Sequence, residues 1–132
     1  MLPNGVFALK ADGTAFVVET PEFSDNAVRF ATQSGPLLVK KGALHPKFNQ
    51  DSPNKALRSG VGVRDGKHVV IVISRDDVNL WTFASLFRDE LKCPDALYLD
   101  GVISALWADG AGRDADLEKG PFAGVLTASP RK

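Results

Sequence analysis

The chain has 132 residues, room for one ordinary domain with a core of its own, so it needs no disulfide or metal to hold it together. Sixteen Lys and Arg offset sixteen Asp and Glu, a balance that argues against a nucleic-acid backbone binder, which needs a basic excess. The single cysteine, Cys93, excludes an intrachain disulfide and a thiolate zinc site, and the longest apolar run, Val69–Ile73, is far short of the roughly 20 residues a membrane span requires.

Glycine and proline recur at short intervals, which favours many short strands over long helices. Residues Gly5–Lys10 and Thr14–Glu19 are β-prone runs around Ala11-Asp12-Gly13, a hairpin signal because glycine reaches positive φ freely. Ala27–Thr32 leads into the turn Gln33-Ser34-Gly35-Pro36, and Leu37–Lys40 reads as a strand closed by Lys41-Gly42. A polar coil follows from Ala43 to Ala56. A connection of that length is more often functional than accidental. Leu57–Arg64 and Lys67–Ser74 flank Asp65-Gly66 as a second hairpin, whose uniformly apolar second arm predicts a central strand covered on both faces.

Leu80, Phe83, Ala84, Phe87 and Leu91 recur at helical spacing and predict the main helix at about 79–92, capped by Asp76 or Asp77 and stopped before Pro94. Ala96–Leu99 then reads as a buried strand with Asp100-Gly101 at its carboxyl end. Asp109–Gly120 reads as a polar loop and Phe122–Thr127 as a last strand. The fold expected is α+β: a mixed, mostly antiparallel sheet with the helix packed on it, in a single domain over 1–132.

Several residues could carry chemistry. Asp100 projects from a strand end, where open sheets place ligands, with Gly101 turning the backbone and Ser104 close behind; an ordinary Asp-Gly turn is the plain alternative. Gln33, Ser34 and Gly35 offer an amide, a hydroxyl and backbone donors that suit an anion, or merely a tight turn into a strand. Arg58 opens a strand after the long coil, and its guanidinium fork suits phosphate or carboxylate; alone it could equally be a surface ion-pair residue, as Arg64 is expected to be. His45 could donate to a substrate from the coil, but His45 and His68 are too far apart in sequence to propose a metal site. No cofactor is called for. Trp107 is a better stacking platform than Trp81, since it follows Asp100 closely, and Cys93 should be a buried, inert thiol.

In order along the chain, Pro3-Asn4-Gly5-Val6-Phe7, Ala31-Thr32-Gln33-Ser34-Gly35-Pro36-Leu37-Leu38-Val39, Arg58-Ser59-Gly60-Val61-Gly62-Val63 and Ala96-Leu97-Tyr98-Leu99-Asp100-Gly101 resemble the phosphodiester glycosidase domain family, from about Leu2 to Val125. The resemblance is to the family's carboxyl-terminal portion, with its amino-terminal segment not represented. It departs at Val102, where a second glycine is common. It implies a hydrolase cleaving a sugar-1-phosphodiester, with Arg58 and the Ser34-Gly35 turn on the phosphate and Asp100 as base or nucleophile. The alternative is a catalytically incomplete module that binds an anionic glycan or a partner protein. It also implies a bacterial protein, periplasmic or secreted if a signal has been removed and otherwise cytoplasmic, with no nucleic-acid partner. If strands preceding the chain are missing, the first hairpin is an open edge that a second copy would cover, giving a homodimer.

Overall fold

The computed structural model describes residues 4–101, 104–106, 108 and 126–130. Its elements are β1 (Gly5–Lys10), β2 (Ala15–Glu19), β3 (Val28–Ser34), β4 (Leu37–Lys40), β5 (Ala43–Leu44), β6 (Ser59–Val63), β7 (Val69–Ile73), α1 (Leu80–Ser85, continued by a π-helical turn over Leu86–Glu90) and β8 (Asp95–Asp100). The chain is α+β. Its strands form two sheets rather than one, ordered β2-β1-β3 and β5-β4-β8-β6-β7, and every pairing among the described residues is antiparallel.

Three layers result, and the two faces of the five-stranded sheet carry the two cores. Toward the three-stranded sheet, Phe7, Ala15 and Val17 pack against Leu37, Val61, Val63 and Leu97. Toward α1, Leu38, Val39 and Ala96 pack against Phe83, Ala84, Phe87 and Cys93. The helix can lie this close because β6 turns glycines to it. A Cβ on Gly60 would meet the Phe83 and Phe87 rings at 3.1 Å, and one on Gly62 would meet Phe87 at 2.7 Å and the Cys93 sulfur at 2.8 Å. The Gly-Val-Gly-Val alternation thus places space on one face and bulk on the other. Cys93 is fully buried, and desolvation pushes its thiol up from its ordinary range, as expected of an inert cysteine.

Two expectations need correction, and a third, the edge at the first hairpin, is narrowed to one strand. The apolar strand β7 is not central: it is the outer strand, and Val69 and Ile71 remain 37% and 41% exposed. Its Val70 and Val72 pack on the helix-side core, while the three-stranded sheet makes its contacts with β6 and β8. The cap of α1 is Asn79, not Asp76 or Asp77. Its extended backbone brings Oδ1 to 2.8 Å from the Thr82 N–H, whereas the two aspartates precede the Ala56–Val78 bridge. Within the first hairpin, β1 is paired on both sides, so only β2 lies at the edge, and the Ala15 N–H ties its start to the Gly66 carbonyl at 2.7 Å. The expected loop Asp109–Gly120 and almost all of the expected strand Phe122–Thr127 lie outside the described residues.

Candidate functional site

The carboxyl end of β8 is where the polar groups gather. Ser59 on β6 stands opposite Asp100 in register. Its Oγ accepts the Asp100 N–H at 3.2 Å and lies 2.7 Å from the Ser104 Oγ. From the other sheet, the Ser34 hydroxyl donates to the Leu99 carbonyl at 3.0 Å. The Gly35–Pro36 peptide bond is cis, and the Pro36 carbonyl accepts the Tyr98 N–H at 3.1 Å, so the Ser34-Gly35 turn lies beside β8 one residue away from Asp100. Asp100 itself is exposed, with Oδ1 accepting the Gly101 N–H at 2.6 Å. Half of its carboxylate is therefore used in an Asp-Gly turn.

Arg58 is buried, at 6% exposure. Its Nε donates to the Val78 carbonyl at 2.7 Å and its Nη2 to the Asn54 carbonyl at 3.2 Å. Its guanidinium carbon lies 5.7 Å from the centre of the Tyr98 ring. These partners are all uncharged, and among the described residues no carboxylate forms an ion pair with it. Tyr98 pairs with Gly60, which faces α1, and shares that face with Arg58; a bulge at Leu99 then shifts the register so that Asp100 stands opposite Ser59. Burial pushes the Tyr98 phenol up; the Arg58 charge pulls it back and the Asp100 charge raises it further.

Arg58, Asp100, Gly101, Ser34 and Ser104 are thus drawn to one end of β8, but Gln33 and His45 are not. Gln33 precedes Ser34 on β3 and points the other way, donating its amide to the Thr20 hydroxyl at 3.1 Å. His45 follows the outer strand β5, bonds through its N–H to Leu38, and stacks on Phe48 with ring centres 5.0 Å apart. Trp107, Val102 and Ile103 lie outside the described residues. Two further residues, Ser59 and Tyr98, belong to the gathering and were not singled out in the sequence. Among the described residues no three His, Cys, Asp or Glu side chains converge as a metal site would require, and no described helix is long and apolar enough to cross a membrane.

A family model described as Phosphodiester glycosidase matches residues 3–124. The chain belongs to the phosphodiester glycosidase family. It is 31% identical over 108 residues to Uncharacterized protein YigE of Escherichia coli (strain K12), an alignment covering 82% of this chain and 42% of that protein. A crystal structure of a hypothetical protein from Synechocystis shares the fold with a TM-score of 0.52 at 27% identity, over 68% of this chain and 18% of that one. The chain therefore spans less than half the length of either relative.

Within this phosphodiester glycosidase domain the motif residues have definite structural work. Asn4 Oδ1 accepts the Leu37 N–H at 2.8 Å and its own N–H donates to the Ser34 carbonyl, which fastens the Ser34-Gly35-Pro36 turn. Gly5 lies flat against the Leu97 side chain, leaving no space for a Cβ. The long coil is fixed by Asn79, whose Nδ2 donates to the Gln50 and Ser52 carbonyls at 2.8 and 3.3 Å, and by Arg58 through Asn54. Arg58 and Asn79, both buried, thus hold the same stretch of the coil, at Gln50, Ser52 and Asn54.

Proposed function

We propose that the β8 end binds the phosphate of a sugar-1-phosphodiester and hydrolyses the bond between the anomeric carbon and the phosphate oxygen. The observation that carries this is Arg58: a buried guanidinium whose partners among the described residues are carbonyls and an aromatic ring, with no carboxylate paired to it there. A buried cation costs several kcal/mol unless an anion compensates it. A phosphodiester supplies one negative charge of the right geometry for the guanidinium fork. The Gly35 amide adds a neutral donor from the facing turn, and the Ser34 hydroxyl adds another by exchanging the Leu99 carbonyl for the phosphate.

Asp100 is the carboxylate for the chemistry, through the oxygen not engaged by Gly101. As base it takes a proton from water, the water oxygen bonds to the anomeric carbon, and the phosphate departs with the electron pair of the broken carbon–oxygen bond. As nucleophile it bonds to that carbon first, and water then hydrolyses the glycosyl ester. Either route yields a free sugar and a phosphomonoester. A phosphate is a weak base, so its departure needs less help from a general acid than an ordinary glycoside's does.

A binding module without turnover is the competing reading, favoured by the engagement of one Asp100 oxygen in the turn. Incubation with N-acetylglucosamine 1-(methyl phosphate) separates the two. Release of free sugar, stopped by Asp100→Asn with binding retained, is the outcome expected of the hydrolase. Binding without release selects the module, and absence of binding overturns both.

A further inference from the structure

Tyr98 is the chain's sole tyrosine, and it lies between Arg58 and the Asp100-Gly101 turn. Its side chain leans along β8 toward the turn, so that a Cβ built on Gly101 would come within 2.8 Å of the phenol oxygen. Gly101 is thus the residue that leaves room for this hydroxyl. On its other flank the ring lies under the Arg58 guanidinium, 5.7 Å from centroid to Cζ. The phenol therefore bridges the buried cation and the Asp100-Gly101 turn.

A guanidinium only donates, so toward Arg58 the phenol oxygen is an acceptor and its own O–H is left to donate elsewhere. The side-chain hydrogen bonds of Ser34, Ser59, Ser104 and Asp100 go to partners other than this phenol. Asp100, exposed and already accepting from Gly101, is a competitor for that proton only while the site holds no other anion. An anion brought to Arg58 arrives beside a neutral donor that the fold has placed there.

We propose that Tyr98 is a further ligand-contacting residue of this site, its phenol donating to an oxygen of the phosphate that Arg58 neutralises. The proposal rests on the reading of Arg58 as an anion site. It has a measurable consequence. An anion beside the phenol favours its protonated form, so occupancy should move Tyr98 ionisation to higher pH, and by linkage Tyr98 ionisation should weaken anion binding by the same factor.

The experiment uses the full chain and dimethyl phosphate, a monoanionic phosphodiester. Its affinity is measured by calorimetry for the unaltered protein, Tyr98→Phe and Gly101→Ala, with folding of each checked by its unfolding transition. Since the chain has one tyrosine, the near-ultraviolet absorbance of the phenolate reports Tyr98 alone. We expect Tyr98→Phe, which keeps the ring, to bind about fivefold more weakly, the effect of one neutral hydrogen bond. Gly101→Ala, which displaces the hydroxyl, should weaken binding similarly, and saturating dimethyl phosphate should raise the midpoint of phenol ionisation. Binding unaffected by Tyr98→Phe, or a midpoint that stays in place at saturation, removes the Tyr98 contact and leaves the anion site standing. Failure of the unaltered chain to bind dimethyl phosphate removes the anion site itself, and the Tyr98 contact with it.

Discussion

Strand β6 has an arginine at each end, and the two differ in their access to water. Arg64 is exposed and donates through Nε to the Leu91 carbonyl at 3.0 Å; Arg58 is buried and donates through Nε to the Val78 carbonyl at 2.7 Å. The Arg64 end also carries the Asp65–His68 pair at 2.7 Å, both side chains more than half exposed. There water solvates each charge and no ligand is needed. At the Arg58 end the same backbone grip is buried, and among the described residues no carboxylate pairs with it, so a charge remains to be matched. A strand-end arginine is an ordinary feature; burial without a counter-charge is what distinguishes a site.

The largest test of that contrast is Asp100→Asn. Asparagine keeps an oxygen for the Gly101 N–H, so the turn and the unfolding temperature should be preserved. Turnover of the sugar phosphodiester should fall by about 10²–10⁴, the usual contribution of a positioned acid–base group. A variant that retains full turnover would move the chemistry away from β8.

Arg58→Gln comes next. It leaves one or both of the Val78 and Asn54 carbonyls without a donor, at about 1–3 kcal/mol for each buried group. Removing an uncompensated buried charge offsets part of that cost. The decisive quantity is therefore the ligand dependence. Dimethyl phosphate should raise the melting temperature of the unaltered protein, by mass action on the folded state, and leave that of Arg58→Gln unmoved. Equal shifts for both would place the anion elsewhere.

Much of this region was legible in the sequence for a physical reason. Asp100 and Arg58 sit at ends of strands delimited by glycine and proline, and strand ends with polar residues are where side chains leave the core. The Asp65-Gly66 hairpin was legible for the same reason, since Gly66 takes φ +81° in its turn. What failed to show was neighbourhood. The apolar run of β7 does not reveal that the second sheet ends before reaching it. Nothing in the coil says which side of β4 it follows, so His45 could not be excluded from the site. Gln33 could have been, because it adjoins Ser34 on one strand and alternation sends the two side chains apart. Tyr98 lies in a strand that reads as buried, and only the approach of Gly101 and Arg58 in space shows where its hydroxyl is placed.

Asn79→Ala tests the scaffold that keeps Arg58 dry. It removes the cap on α1 and both ties to the coil at Gln50 and Ser52. A cap alone is worth about 1 kcal/mol, and the freed coil carbonyls add to the loss, so about 2 kcal/mol is expected in chemical denaturation. Because the Asn54 carbonyl sits on the same coil, dimethyl phosphate affinity should weaken as well, though less than in Arg58→Gln. Loss of stability with unchanged affinity would separate the coil from the site.

The smallest effect belongs to the other end of β6. In Arg64→Ala one hydrogen bond to the Leu91 carbonyl is lost at an exposed position, where water replaces it, so stability should change by no more than about 0.5 kcal/mol. Turnover and phosphodiester affinity should be unchanged. A trace should remain at Cys93, whose thiol is raised by burial and pulled part of the way back by the Arg64 charge. Without that charge the thiol should rise further, and alkylation of the folded protein should be slower than in the unaltered chain. Alkylation that speeds up instead would mean that Arg64 shields Cys93 by packing rather than acting through its charge. The methylene stem of Arg64 would then be part of the lid over the sulfur, and the exposed end of β6 would have a structural duty that its hydrogen bond does not reveal.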